Sequence, residues 1–402
     1  CFQITIKFNM EDFIDLSLYF NPCNQLNEDF FIDQRVRWGR QIDAFADISY
    51  FPDWTHAHIA LLGVSENRNS TYPINCEGAD IVRKHLYNLF PGKFKSKIVD
   101  LGNLKTGNTP NDTYFILKEV VCALLSNRVI PIIIGGSQDL TFANYQAYEQ
   151  IKQIINIGTI DSTLDLGDPD APISSTSYMS KIIVKNPNFL FNYINMGYQT
   201  YLSEQEAIEL MNKLYFEAYR YGTLRNNLLE IEPLMRCCDC LSVDMSAVRK
   251  SDSPGNSAAY PTGFSAEDIC QIMRFAGMSD QISSLGLYEY HPSLDPNEQS
   301  AMLLSEMIWC FVDGYEHRKK EHPYTSSENY KRYTVTIRDS EHDLIFLKSK
   351  ESDRWWMELP CSEEIRQKFS RHYLIPCSYK DYQDALNNEI PDKWWGAYRK
   401  LI

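Results

Sequence analysis

Four carboxylates stand directly behind short apolar runs of the chain. Asp161 and Asp165 lie in IDSTLD (Ile160–Asp165), Asp244 in SVDMS (Ser242–Ser246) and Glu289 in YEYHP (Tyr288–Pro292). A further segment of the same kind, GGSQDL (Gly135–Leu140), adds Gln138. Carboxylates gathered at one place repel each other, so such a cluster needs a cation, raised pKa values or water to persist. Spacing alone leaves a second reading open: acids scattered over loops that never meet, some of them capping helices.

Which reading holds depends on the elements that carry these residues. Seven apolar runs are too short and too continuous for amphipathic helices: Ile59–Val64, Lys97–Gly102, Val129–Gly136, Ile154–Asp161, Phe189–Gly197, Cys240–Met245 and Ile282–Tyr290. They suit strands buried on both faces of a parallel sheet. Between them lie helical stretches at Gly78–Leu89, Asn111–Ser126, Leu140–Ile151, Glu204–Leu214, Ala266–Phe275 and Pro296–Val312. Alternation of this kind implies βαβ units with right-handed crossovers. In such sheets chemistry sits at the carboxyl ends of the strands, where all four acids fall.

The whole chain has 402 residues, with 39 Lys+Arg against 53 Asp+Glu and a net charge of −14. That balance excludes non-specific nucleic-acid binding, which needs a basic surface. No apolar run approaches the ~18 residues of a membrane span, so none is expected. Eleven cysteines are scattered without the spacing of a disulfide framework. Cys237, Cys238 and Cys240 are expected to be buried reduced thiols rather than a zinc site. CFQITIKFN, before Met10, has no signal-peptide character, Met10 reads as the true start, and the protein is expected in the cytoplasm.

Three regions follow from the texture of the chain. Residues 1–54 should be an N-terminal segment packing on the core, 55–318 the α/β domain, and 319–402 a hairpin and helix extension. His317–His322 (HRKKEH) reads as a solvated linker, and the strands YTVTI and LIFLK flank a turn at Asp339-Ser340-Glu341-His342. Two indole pairs, Trp355-Trp356 and Trp394-Trp395, are expected to anchor the extension on the main domain; an exposed partner surface is the sharper alternative.

In order and interval, the strand-end strings resemble those of the arginase-like ureohydrolases, which include agmatinase and formimidoylglutamase. That family carries GGDH, DAHxD, SxDxD and E-x-N-P where this chain has GGSQ, DSTLD, SVDMS and EYHP. SPGNSAAYPTGFSAED (Ser253–Asp268) and GADIVRKHL (Gly78–Leu86) resemble two further family segments. The resemblance covers residues 55–318. It implies a three-layer α/β/α arginase-like fold with a mainly parallel sheet, plus a small C-terminal α+β appendage.

It also implies a metal site that this chain has partly lost. Family members activate water on two manganese ions held by two His and four Asp. Carried over, the first His falls on Gln138. The DAHxD ligands fall on Asp161, Thr163 and Asp165, and the SxDxD pair on Asp244 and Ser246. Three of six ligands are therefore replaced. Gln138, Asp161, Asp165 and Asp244 remain as one residual all-oxygen set, suited to manganese, magnesium or calcium, with low occupancy expected. Glu289 takes the place of the family's substrate-contacting Glu, and the loop at Ser174–Ser180 lacks the family's proton-shuttling His.

The expected function is that of an arginase-family pseudoenzyme, a scaffold, regulator or ligand-binding protein with no cofactor. The alternative is a hydrolase of a linear amidine C–N bond working with one rebuilt metal site. The extension offers a surface for a protein partner, and the family's trimers and hexamers imply a homo-oligomer. Neither nucleic acid nor a membrane is expected as a partner.

Overall fold

The computed structural model describes residues 15–23, 36–72, 77–321, 323, 328–338 and 343–401. Met10 and the turn at 339–342 lie outside the described residues. Ten strands form the main sheet: β1 (Phe20–Asn21), β2 (Asp43–Ala44), β3 (Ile59–Gly63), β4 (Ile98–Leu104), β5 (Ile130–Ile134), β6 (Ile155–Ile160), β7 (Leu190–Tyr198), β8 (Glu217–Arg220), β9 (Cys240–Asp244) and β10 (Ser284–Tyr288). Their spatial order is β1-β4-β3-β5-β10-β9-β6-β7-β8, with β2 also paired to β4. All pairings are parallel except β1 with β4.

Helices cover both faces: α1 (Ala79–Asn88), α2 (Pro110–Ser126), α3 (Leu140–Gln150), α4 (Tyr178–Ile183), α5 (Gln205–Lys213), α6 (Tyr221–Asn226), α7 (Ile231–Cys237), α8 (Ala266–Met278) and α9 (Gln299–Glu316). Successive strand residues point to opposite layers. Ile59, Leu61, Ile132, Ile134 and Leu287 pack with Val82 of α1, Ile272 of α8 and Ile308 of α9. Ala60, Leu62, Val99 and Ile133 pack with Leu117 of α2 and Ala143 of α3. Each fully buried side chain of this size contributes about 1.5–3 kcal/mol, which is why both faces of these strands read as apolar. Thr109 with Asp112, and Ser265 with Asp268, close capping boxes that start α2 and α8.

The central strands run β5-β10-β9-β6, so β9 and β10 are inserted between two strands that follow each other in the chain. Register sets their ends level: Leu287 faces Ile134, Tyr288 faces Asp244, and Val243 faces Ile160. The residues immediately after these four strands therefore share one edge of the sheet.

A second, antiparallel sheet follows: β11 (Tyr330–Val335), β12 (Leu344–Ser349), β13 (Trp355–Glu358) and β14 (Leu374–Cys377), with α10 (Glu363–Lys368), α11 (Tyr379–Leu386) and α12 (Asp392–Leu401). It is larger than one hairpin and a helix. It packs on the amino edge of the main sheet. Arg371 pairs with Asp239, Arg236 donates to the carbonyls of Trp355 and Cys377, and Lys400 donates to Asn192. Trp355, Trp356 and Trp394 are buried in its core, but Trp395 is 41 % exposed. Neighbouring residues of a helix point about 100° apart, so Trp394 and Trp395 cannot both face inward.

Two further departures have local causes. Arg318, expected in a solvated linker, is pinned by hydrogen bonds to the carbonyls of Gly277 (2.9 Å) and Ile282 (2.8 Å). Strand β8 and helices α4, α6 and α7 carry no sequence signal long enough to announce them. Among the described residues no helix is long and apolar enough to cross a membrane.

Candidate functional site

The turn after β5 starts with two residues at positive φ, Gly135 and Gly136. A side chain at Gly136 would meet Leu140 and the carbonyl of Glu66, so only glycine lets the chain fold back here and aim Gln138 along the sheet edge. Gln138 then donates its backbone N–H to Oε1 of Glu289 at 3.1 Å. Glu289 follows β10 at φ 62°, and Asp165 beyond β6 sits at φ 50°. Two acidic residues in the left-handed region at one sheet edge store backbone strain where the elements converge.

Asp161, Asp165, Asp244 and Glu289 come together on that edge with Gln138, Thr163 and Ser246. Gln138, Asp161, Asp165, Ser246 and Glu289 are buried; Asp244 and Thr163 are partly accessible. Thr163 binds both aspartates of its segment. Its N–H donates to Oδ1 of Asp161 at 2.9 Å, and its hydroxyl lies 2.8 Å from Oδ1 of Asp165 and 3.2 Å from Oδ1 of Asp161. The Ser246 hydroxyl is 3.0 Å from that of Ser162 and 3.5 Å from Oδ1 of Asp161. Asp244 accepts the N–H of Ser246 at 2.6 Å and caps a one-turn helix, and Asn256 ties Asp244 to the carbonyl of Glu289.

Electrostatics follow from burial. Desolvation first, then the charge of and hydrogen bond to Asp161, push Asp165 well above the usual carboxylate range. Desolvation, with Asp161 and Glu289 behind it, pushes Asp244 up as well. Burial raises Asp161 too, against the opposing hydrogen bond from Asp165. Glu289 is pushed up to about 7, chiefly by desolvation. Burial and mutual repulsion thus shift all four carboxyls toward their neutral forms.

One residue of this region has no part in the sequence expectation. His291 is fully buried with Nε2 3.4 Å from Oε2 of Glu289, and neither ring nitrogen makes a hydrogen bond. Burial, then Lys250, lowers its pKa to about 4, so the ring is neutral. Its place two residues after Glu289 was the one available signal.

Strand order, register and the acidic carboxyl edge define a three-layer α/β/α protein of the arginase fold. The sequence profile of the Arginase family matches residues 57–313. This chain belongs to the arginase family. It is 23 % identical over 270 residues to a formimidoylglutamase of Clostridium tetani, covering 62 % of this chain and 79 % of that relative. It is 23 % identical over 278 residues to one of Photorhabdus laumondii, covering 65 % and 87 %. The formimidoylglutamase structure from Bacillus subtilis superposes with a TM-score of 0.63 at 16 % identity, over 72 % of this chain and 95 % of that one. A Trypanosoma cruzi formiminoglutamase solved with two manganese ions gives 0.60 at 17 %, over 72 % and 97 %.

The residues present here do not fit a two-metal centre. Thr163 and Ser246 carry neutral hydroxyls that hydrogen-bond to the carboxylates. The Gln138 amide donates to Ser242 at 3.3 Å and supports Asp161. Among the described residues no group of three or more His, Cys, Asp or Glu side chains is arranged to hold a metal ion. Oδ2 of Asp161, Oδ2 of Asp165 and Oε1 of Gln138 are buried with no N–H or hydroxyl group donating to them.

Proposed function

We propose that this arginase-family protein is not a working ureohydrolase and serves as a scaffold, regulator or ligand-binding member of its family. One observation carries the reading: the hydroxyls of Thr163 and Ser246 stand where the family resemblance calls for His and Asp; that of Thr163 bridges Asp161 and Asp165, and that of Ser246 lies against Asp161. Water activation in the family rests on adjacent dications that lower the pKa of bound water. A carboxylate cluster stabilised by its own protons supplies no such charge.

A second reading is favoured by the three oxygens of Asp161, Asp165 and Gln138 to which no N–H or hydroxyl donates and by the strained backbone at Asp165 and Glu289. On it, one manganese, magnesium or calcium ion on Gln138, Asp161, Asp165 and Asp244 supports hydrolysis of an amidine C–N bond, with Glu289 contacting the substrate. The C-terminal extension, with Tyr379 of α11 and Trp395 of α12 exposed, is the surface we assign to a protein partner. The nine described cysteines are free, which supports a reducing compartment such as the cytoplasm.

The deciding experiment measures bound metal and turnover of formiminoglutamate, arginine and agmatine with added manganese. It compares the unmodified protein with the variant Gln138→His, Thr163→His, Ser246→Asp. Metal uptake by the variant alone supports the first reading. Robust turnover by the unmodified protein ends it in favour of the second.

A further inference from the structure

Helices α8 and α9 lie against each other so closely that a side chain on Gly277 would meet the backbone of Phe311, and one on Gly314 the backbone of Arg274. One turn before Arg274 and Gly314, Cys270 of α8 and Cys310 of α9 stand opposite each other across the same seam. Both are partly accessible and line one open groove of about 500 Å³, together with Phe90, Trp309, Glu267 and Glu306. None of Asp161, Asp165, Asp244 and Glu289 lines this groove.

We propose that Cys270 and Cys310 form a reversible, peroxide-responsive disulfide that staples α8 to α9. The two thiols differ in a way that assigns their parts. Cys310 has the Arg274 guanidinium beside it, which favours its thiolate against burial and the charges of Asp313 and Glu306, whereas Cys270 has only the acids Glu306 and Glu267. Glu267, Glu306 and Asp313 place negative charge around the pair. That charge disfavours anionic oxidants such as glutathione disulfide and admits a small neutral peroxide.

The steps balance. The Cys310 thiolate attacks one oxygen of hydrogen peroxide; an S–O bond forms, the O–O bond breaks and hydroxide leaves, giving a sulfenic acid. Cys270 then attacks that sulfur; the S–S bond forms, the S–O bond breaks, and the hydroxyl leaves as water with the Cys270 proton. A low-molecular-weight dithiol reverses the change by thiol–disulfide exchange.

The test treats the full chain with hydrogen peroxide, then alkylates it and maps the peptides by mass. The expected product is lower by two hydrogens, with the Cys270 and Cys310 peptides joined and Cys361, which is also partly accessible, still alkylated. In Cys270→Ser, dimedone should trap the sulfenic acid on Cys310; in Cys310→Ser, dimedone should leave Cys270 unlabelled. Cys270→Ala carries the same test if the serine variant fails to fold. Glutathione disulfide should join the pair more slowly than peroxide at equal concentration. The proposal is overturned if the pair stays alkylatable after Cys361 has reacted, if both single variants label equally, or if glutathione disulfide acts as fast as peroxide.

Discussion

The Thr163 hydroxyl lies 2.8 Å from Oδ1 of Asp165, two residues further along the same turn. A neutral hydroxyl therefore stands between Asp161 and Asp165, where the family resemblance calls for an imidazole. A hydroxyl can supply a proton to one carboxylate but adds no ligand of comparable strength. On the reading proposed above, the chemistry of the edge shifts from binding cations to sharing protons.

A pH dependence of stability follows. Asp165, Asp244 and Glu289 have folded-state pKa values above their unfolded ones, so between those limits the folded chain binds more protons. Stability is then full below the unfolded values and is lost as pH rises. For Glu289, raised from 4.5 to about 7, the loss is about 3 kcal/mol. Urea unfolding should show the midpoint falling from pH 5 to pH 8, with added manganese leaving the slope unchanged. A slope erased by manganese would mean the aspartates hold the ion.

Asp165→Asn should be nearly neutral, within about 1 kcal/mol, and should flatten that slope. The amide keeps an acceptor for Thr163 and offers a donor toward Asp161, which is what a protonated Asp165 provides. A loss of several kcal/mol at pH 6 would show that Asp165 is needed as an anion.

The indole pair of α12 should split in its effects. Trp394 is 1 % exposed and Trp395 41 %. Trp394→Ala should cost about 3–5 kcal/mol, since a large cavity opens in the core of the second sheet. Trp395→Ala, which removes a ring under the Arg399 guanidinium, should cost about 1 kcal/mol or less. Equal costs would place Trp395 in an interface with another molecule or misplace the helix.

Arg371 should matter through the partner it leaves behind. Asp239 is 2 % exposed and raised by burial against the Arg371 charge. Arg371→Ala should cost about 3 kcal/mol by stranding that carboxylate, and adding Asp239→Asn should recover most of the loss. Additive losses in a double-mutant cycle would show that the two side chains do not communicate.

The parallel core was legible in the sequence because strands covered on both faces admit little but apolar residues. Each of the seven apolar runs overlaps a strand, and each predicted helix has a counterpart shifted by a few residues at most. Strand β8 was not legible: its four residues at the sheet edge are half-exposed and read as EAYR. Arg318 shows another limit, since a guanidinium satisfied by backbone carbonyls looks like any surface charge in one dimension. At the site, order and spacing brought the carboxylates to one edge, but nothing in the letters says which way a hydroxyl hydrogen points. Whether Thr163 and Ser246 leave a vacancy or close it depends on distances that only the folded turn defines.

The insertion of β9 and β10 between β5 and β6 has a kinetic consequence. During synthesis, β6 emerges soon after β5, yet the two ribbons that separate them arrive roughly a hundred residues later. Until then the early part of the sheet ends in unpaired backbone along β5, and the late part along β6, the kind of edge on which chains aggregate. Such long-range pairing makes folding slow. The second sheet grips the entrances of both late strands through Arg371, which reaches Asp239 before β9 and Gln281 before β10. The C-terminal segment thus acts as a latch that is thrown last, and its contacts bear on how long the closed sheet stays closed.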